Sequence, residues 1–102
     1  MAWKRIVEWI RPNDSVDWEH FSEDADQYID DNYVSSNKSK SFVISYSDDG
    51  LIRYHTRIFD NEASRNEFVS DSTVFDAVDE REVVNTSRGI TRSVSFDAEY
   101  VE

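Results

Sequence analysis

The chain has 102 residues, enough for a single domain over 1–102, and no cysteine, which excludes disulfides, thiolate metal sites and thiol nucleophiles. Its 22 Asp and Glu against 11 Lys and Arg give a formal net charge of −11, which disfavours binding to nucleic acid or anionic membranes. No segment resembles a signal peptide or approaches the ~20 apolar residues of a membrane span, so we expect a soluble, cytoplasmic protein.

The first predicted element is a β-strand, "WKRIVEWIRP", which carries apolar side chains on both faces. Alternation places Val7 and Trp9 on one face and Ile6 and Ile10 on the other. Glu8 interrupts the second face at mid-strand, so we expect Val7 and Trp9 to face the helices. The helices then leave the face with Ile6 and Ile10 exposed, and we expect something else to shield it from solvent.

A helix is predicted next, because the polar run after Pro12 offers oxygens that cap a helix. A helix turns by about 100° per residue, which places six residues along one side as the stripe we expect to be buried: Trp18, Phe21, Ala25, Tyr28, Ile29 and Asn32. The acidic residues lie on the opposite side: Glu19, Glu23, Asp26, Asp30 and Asp31. This acidic first helix is the candidate surface for a basic protein partner.

Two β-rich runs around "SDDG" predict a hairpin, and the loop length decides which side chains share a face. A two-residue loop would pair apolar with cationic side chains: Phe42, Ile44 and Tyr46 with Arg53, His55 and Arg57. A three-residue loop from Asp48 to Gly50 pairs the first three instead with Ile52, Tyr54 and Thr56. We favour the three-residue loop, which places the cationic side chains of the third strand away from the helices.

The second half predicts two helical pieces and a last strand. Asp60 or Asn61 caps a helix that runs through Phe68 and Val69, and Ser70-Asp71-Ser72 can cap a second, short helix. The apolar residues of that short helix are Val74, Phe75, Ala77 and Val78. The final strand, "ITRSVSFDAEYV", alternates cleanly and predicts one apolar face with Val94, Phe96, Ala98 and Tyr100.

This order, βαββαβ, predicts an α+β fold with a four-stranded antiparallel sheet and both helices on one face; a less regular sandwich is the alternative. The chain resembles the ferredoxin-like proteins of the dimeric α/β-barrel superfamily, most specifically in "FDNEASRNEFVSDSTV". That superfamily includes small monooxygenases and stress-responsive proteins. The resemblance implies two sheets packed by their open faces, and a pocket inside that barrel or between helices and sheet.

The candidate ligand site is a cationic group on the third strand, Arg53, His55 and Arg57, with Glu8 and Asp97 on neighbouring strands. Clustered cations can hold a carboxylate or phosphate and keep His55 neutral, so that it could act as a base. The alternative is ordinary cross-strand ion pairing with Glu8, Asp97 and Glu99. His20 has no second histidine at ligand spacing, so we expect no metal and no cofactor.

The candidate dimer interface is the face beside Ile6 and Ile10. Its small or apolar members allow close approach of a second copy: Val43, Ser45, Ser93 and Ser95. RNA binding is disfavoured, because Arg53, His55 and Arg57 stand where RNA-recognition domains stack bases on aromatics.

The leading hypothesis for function is therefore a small acidic homodimeric accessory or binding protein without intrinsic catalysis. The first alternative is a cofactor-independent monooxygenase-like enzyme with a pocket near His55. The second is an acidic, DNA-mimic inhibitor of a nucleic-acid-binding protein. The acidic composition, which resembles that of phage or marine proteins, leaves a viral origin open.

Overall fold

The computed structural model describes all of residues 1–102, and its elements follow the predicted order. They are β1 (Ala2–Ile10), α1 (Glu23–Ile29), a π-helical turn (Asp30–Val34), β2 (Ser39–Tyr46), β3 (Ile52–Phe59), α2 (Glu62–Ser70), α3 (Ser72–Ser87) and β4 (Thr91–Tyr100). The strands form one antiparallel sheet in the order β2-β3-β1-β4. None of the helices combines the length and apolar character that crossing a membrane requires.

The core lies between one face of the sheet and the helices. Its larger cluster joins Phe59 of β3 to buried side chains from every helical segment: Ile29, Tyr33, Phe68, Val74 and Val78. A smaller cluster contains Val7 and Trp9 of β1 with Ile90. Val7 and Trp9 therefore face the helices, as the position of Glu8 predicts. The other side of the sheet, which no helix covers, is called the open face below.

The first helix begins later than predicted. Ser22 is its N-cap, and the Ser22 hydroxyl accepts from the Ala25 N–H at 3.2 Å. The predicted start near Trp18 is wrong, because Arg11 instead holds the preceding segment by donating to the Val16 carbonyl at 2.8 Å. After α1 the wider π-helical turn shifts the stripe by one position, so Tyr33 is buried in place of the expected Asn32.

The hairpin register also differs from the prediction. The apolar side chains of β2 lie beside cationic and imidazole side chains of β3: Phe42 with Arg57, Ile44 with His55 and Tyr46 with Arg53. The three-residue loop is wrong because the turn spans residues 48–51, and Ser47 donates to the Ile52 carbonyl at 2.9 Å. Gly50 takes a φ of +72° within it. As a consequence, the cationic face of β3 lies under the helices and not on the open face.

The two helical pieces of the second half begin at the predicted caps, since Asn61 caps α2 and Asp71 caps α3. The second piece is not short, however: α3 has 16 residues. Its buried stripe continues beyond Val78 with Arg81 and Asn85, two polar residues that hydropathy assigns to the surface.

A β-bulge interrupts β4. Ile6 pairs with Phe96 and the next residue of β1, Val7, pairs with Val94, which leaves Ser95 as the extra residue. The single apolar face predicted for β4 is therefore wrong, because Val94 and Phe96 fall on opposite sides. The bulge also brings Arg92 opposite Trp9, on the side that faces the helices.

Candidate functional site

A cavity of about 350 Å³ lies between the sheet and the helices. This volume is within the range of small-molecule sites. Most of its 20 lining residues are not charged, but five of the chain's 11 Lys and Arg residues line it: Arg5, Arg53, Arg57, Arg81 and Arg92. In a chain of net charge −11, such a concentration of guanidinium groups marks this cavity as the candidate site.

His55 lies at the centre of the sheet side of the cavity. Its ring centroid is 4.4 Å from that of Trp9 and 5.1 Å from that of Phe42. Its Nε2 atom is buried and has no hydrogen-bond partner. Burial first, and then the nearby charges led by Arg53, lower the pKa of His55 to about 2. The imidazole is therefore neutral at physiological pH.

The side chain of Arg57 is packed between aromatic rings. Its guanidinium carbon lies 4.3 Å from the Phe42 centroid and 5.0 Å from the Phe68 centroid, within cation–π distance. One guanidinium nitrogen donates to the Ser39 hydroxyl at 2.7 Å. Burial lowers the pKa of Arg57 to about 10, while Asp30 and Asp26 partly offset that effect.

Arg53 is 5% exposed, and the segment before α1 covers it. One terminal nitrogen donates to the Glu19 carbonyl at 3.5 Å, and the other lies 3.2 Å from His20 Nδ1. The Nε of Arg53 is buried with no acceptor, and the Nε of Arg92 is in the same state. Neither residue forms an ion pair with a carboxylate.

Arg81 enters the cavity from α3 and is held on both sides. Its guanidinium carbon lies 4.7 Å from the Trp9 ring centroid and 4.2 Å from that of Phe21. Its Nε donates to Glu82 at 2.8 Å. Burial lowers the pKa of Arg81, and Glu82 opposes that shift.

Two carboxylates of the acidic first helix line the same cavity, Asp26 and Asp30. Burial, and then the proximity of Asp30, raises the pKa of Asp26. The predicted arrangement, in which all acidic residues of this helix lie opposite its buried stripe, is therefore wrong for these two. Both attract Arg57 across the cavity.

The structure brings together only part of the predicted ligand site. Arg53, His55 and Arg57 lie on one face, although it is the face under the helices. Glu8 points to the opposite face, since it pairs with Tyr54 between the residues that line the cavity. Asp97 is on the cavity side but pairs elsewhere, 3.1 Å from Arg65. Cross-strand ion pairing of Glu8 or Asp97 with Arg53 and Arg57 is therefore wrong.

Sequence reasoning missed three of the cavity's cations, Arg5, Arg81 and Arg92. Arg5 could have been found, because it alternates with Val7 and Trp9 on the strand face that was expected to be buried. Arg81 had a signal in the spacing Val74, Val78, Arg81, which continues the buried stripe of α3. No sequence signal indicated Arg92, since the bulge in β4 determines which side of the sheet its side chain is on.

The arrangement suits anion binding better than metal or acid–base chemistry. No cluster of three His, Asp or Glu side chains is placed to hold a metal ion. Guanidinium groups are planar donors that match carboxylates, sulfonates and phosphates. The aromatic and aliphatic walls suit an organic ligand and not a small inorganic ion.

The predicted interface residues lie mostly on the open face. The strand registers place Ile6 and Ile10 there with Val43, Ser45 and Ser93, while Ser95 is the bulge residue. His55, expected beside them, is on the other side. Three large apolar side chains of this face are strongly exposed: Ile10 at 43%, Val43 at 56% and Phe96 at 42%.

No protein-family model matches the sequence, and none of the curated proteins matches it. Among solved structures, Rv0793 from Mycobacterium tuberculosis is similar, with a TM-score of 0.54 and 10% identity over 100% of both chains. A presumed antibiotic biosynthesis monooxygenase from Chloroflexus aurantiacus matches with a TM-score of 0.47 and 16% identity, also over 100% of both chains. The likeness to Rv0793 is one of fold, and it agrees with the strand order β2-β3-β1-β4 in confirming the predicted ferredoxin-like fold.

Proposed function

We propose that this chain is a binding protein for small organic anions, which it holds in the arginine-lined cavity. The observation that carries the proposal is the state of Arg53 and Arg92, whose Nε atoms are buried with no acceptor and which lack a carboxylate partner. A buried donor without an acceptor costs about 1–3 kcal/mol. An anion between these guanidinium groups would remove that cost.

The state of His55 favours binding without intrinsic catalysis. A general base is most effective when its pKa lies near the working pH. The pKa of His55, lowered to about 2 by burial and by the neighbouring arginines, is far below that range. The neutral ring still offers one donor and one acceptor nitrogen to a bound molecule.

A monooxygenase-like activity is the second candidate, favoured by the free Nε2 of His55 inside the cavity. An anionic substrate between Arg53 and Arg57 would raise the pKa of the imidazole and make it a better base. Dioxygen uptake with 1-hydroxy-2-naphthoate, compared between wild type and His55→Gln, tests this activity. The binding function predicts no uptake with either protein.

The acidic-inhibitor function has less geometric support. A DNA mimic presents an array of carboxylates on one outer surface. Here Asp26 and Asp30 turn toward Arg57, and the Asp31 carboxylate accepts from Gln27 at 2.8 Å. The proposed function is therefore ligand binding in the cavity, and it does not include binding to a basic protein partner.

We also propose that the protein acts as a homodimer packed by its open faces. The fold is that of the dimeric α/β barrels, and Ile10, Val43 and Phe96 are exposed on this face. In such an assembly the cavity of each copy stays on the far side of its sheet. Anion binding and dimer formation are then separate properties.

Anion binding is tested by titrating 2-naphthoate while recording the indole N–H signals of the protein by NMR. Of the three tryptophans only Trp9 lines the cavity, and Trp3 and Trp18 do not, so the expected result is a saturable shift of the Trp9 signal alone. Neutral 2-naphthalenemethanol, which matches the acid in shape, should bind about tenfold more weakly or less. Equal binding of the two compounds, or no saturable shift, would contradict the proposed function.

A further inference from the structure

The charges of the cavity are unevenly distributed along the strands. In one row across the sheet, Arg53 pairs with Trp9 and Trp9 pairs with Arg92. Four residues further along β3, the row of Arg57 contains Arg5. These rows are about 13 Å apart at the backbone, at about 3.3 Å per residue.

The first row, with Arg81 above it, forms the arginine end of the cavity (Arg53, Arg81 and Arg92). Of its three guanidinium groups only that of Arg81 forms an ion pair, with Glu82, and Asp26 also attracts Arg81. Glu82 is already engaged, because it accepts from Arg81 at 2.8 Å and from the Trp9 indole at 2.9 Å. The arginine end thus has positive charge that no protein group neutralises.

The second row forms the carboxylate end of the cavity, named for Asp26 and Asp30, which line it and both attract Arg57. Asp97 lies 3.8 Å from the Nε of Arg5, which has no hydrogen-bond partner, but Asp97 lies outside the cavity lining and is paired with Arg65. Two lining carboxylates therefore face two lining arginines. A ligand carboxylate placed at this end would meet carboxylates of the protein.

Between the two ends the cavity has no formal charge. Val7 and His55 pair in the middle row of the sheet, and His55 has a neutral ring. Ile44 of β2 pairs with His55 in this row, and apolar side chains of the helices also line the cavity: Ile29, Phe75 and Val78. Beyond it lies Phe68, against which Arg57 is stacked.

We infer that the ligand is an amphipathic monoanion, with one acid head group seated between Arg53 and Arg92 and an apolar body lying along Val7 and His55 toward Phe68. This inference rests on the proposed function and adds the polarity of the ligand and its orientation. The head group satisfies the donors of the arginine end that lack acceptors. The body covers the uncharged middle of the cavity.

The test uses three probes of one length: octanoate, 1-octanol and octanedioate. Isothermal titration calorimetry of the wild-type protein should show octanoate binding about tenfold more tightly than either of the others. The alcohol lacks the charge that Arg53 and Arg92 need. The second carboxylate of octanedioate is repelled at the carboxylate end or must remain in water.

Matched variants locate the head group. Arg53→Met and Arg92→Met should each weaken octanoate binding by about tenfold, because each removes one guanidinium partner of the acid group. Arg57→Met makes the same change on the same strand at the carboxylate end, and it should weaken octanoate binding clearly less than Arg53→Met. The control is Arg88→Met, which changes an exposed arginine outside the cavity and should leave the affinity within threefold of wild type. Binding of 1-octanol, together with far-UV circular dichroism, shows that each variant retains the folded cavity.

Equal affinity for octanoate and octanedioate would overturn the inference, and so would a loss in Arg57→Met as large as in Arg53→Met. In either case an organic acid still binds in the cavity, so the proposed function stands. If neither octanoate nor 2-naphthoate binds, the proposed function fails as well. Binding of the three probes to the wild-type protein tests whether the ligand has one acid group, even if Arg53→Met does not fold.

Discussion

Trp9 links the sheet, the helices and the cavity. It is 3% exposed, lies between Arg53 and Arg92 in the sheet, and donates its indole N–H to Glu82 of α3. Trp9→Ala should lower the free energy of unfolding by about 3–5 kcal/mol, because it leaves a large hole in a packed interior. Chemical denaturation measures the loss.

The control for that change is Trp9→Phe, which retains an aromatic ring and removes the indole donor to Glu82. Its loss should be clearly smaller, about 1–2 kcal/mol. A loss below about 1 kcal/mol in Trp9→Ala would show that the indole is not buried against the helices.

His55 should make the stability of the protein depend on pH. Its folded-state pKa of about 2 lies below the ordinary value of 6.5, so the unfolded chain binds a proton that the folded protein does not. The free energy of unfolding should therefore fall as the pH drops below about 6.5, by at most about 1.4 kcal/mol per pH unit. The loss continues toward the folded-state pKa.

His55→Gln isolates this contribution, since glutamine keeps a polar side chain of similar reach and does not titrate. The difference in unfolding free energy between wild type and variant, measured by urea denaturation from about pH 7 to about pH 4, should change with pH as described. A difference that is constant over this range would show that the imidazole is solvated and takes up its proton normally.

At the level of elements, Asp71 joins three segments. One carboxylate oxygen caps α3 by accepting from the Thr73 N–H at 3.0 Å. The other accepts from the hydroxyls of Tyr28 at 2.8 Å and Tyr33 at 2.6 Å, which tie α1 and the π-helical turn to α3. Asp71→Ala should cost about 2 kcal/mol in unfolding free energy, through loss of the cap and of the acceptor for Tyr33.

Asp71→Ser separates the two contributions, because serine caps a helix but is too short to reach the tyrosines. Thermal and urea denaturation should place it between wild type and Asp71→Ala. If serine and alanine destabilise equally, the helix cap contributes nothing and the tyrosine contacts account for the whole effect.

The elements that sequence analysis predicted well are those determined by neighbouring residues. Asn61 and Asp71 are side-chain caps that act on N–H groups two or three residues away, so the helix starts can be recognised locally. The alternation of Val7 and Trp9 likewise needs only the strand itself. Element order and the fold class followed from such local signals.

The elements that were mispredicted depend on contacts between distant segments. Arg11 donates to the Gly50 carbonyl and stabilises the four-residue turn that sets the hairpin register. Arg81 is buried in α3 because Trp9 and Phe21 cover its guanidinium, which no hydropathy pattern of the helix itself reveals. The bulge at Ser95 likewise appears only when β4 is paired with β1.

At the scale of the whole molecule, the same distinction applies to the candidate site. Arg53, His55 and Arg57 were recognised together because they alternate on one strand. Their partners Arg81 and Arg92 come from a helix and from the last strand, so only the assembled fold shows that they share a cavity. Once this group lies under the helices, the open face lacks Arg53, His55 and Arg57, and the charged residues of β1 that remain on it are Lys4 and Glu8.

That change strengthens the prediction that a second copy covers the open face. Ile6 and Ile10 lie there with Val43 and Phe96, and Glu8 stands between the two isoleucines on the same face. Ile6→Asp combined with Ile10→Asp should give a folded or partly folded monomer, since two unpaired carboxylates in an interface oppose association strongly. Octanoate binding should survive in that monomer, because the cavity lies on the other side of the sheet.

Light scattering at micromolar concentration measures the assembly. Wild type should show twice the chain mass of 12.0 kDa, and the double variant should show the mass of one chain. Val83→Asp is the control: it introduces the same carboxylate on α3, at a side chain that is 72% exposed, and should leave the dimer intact. A wild-type mass near 12.0 kDa would exclude the dimer, and the open face would then be available to a different partner.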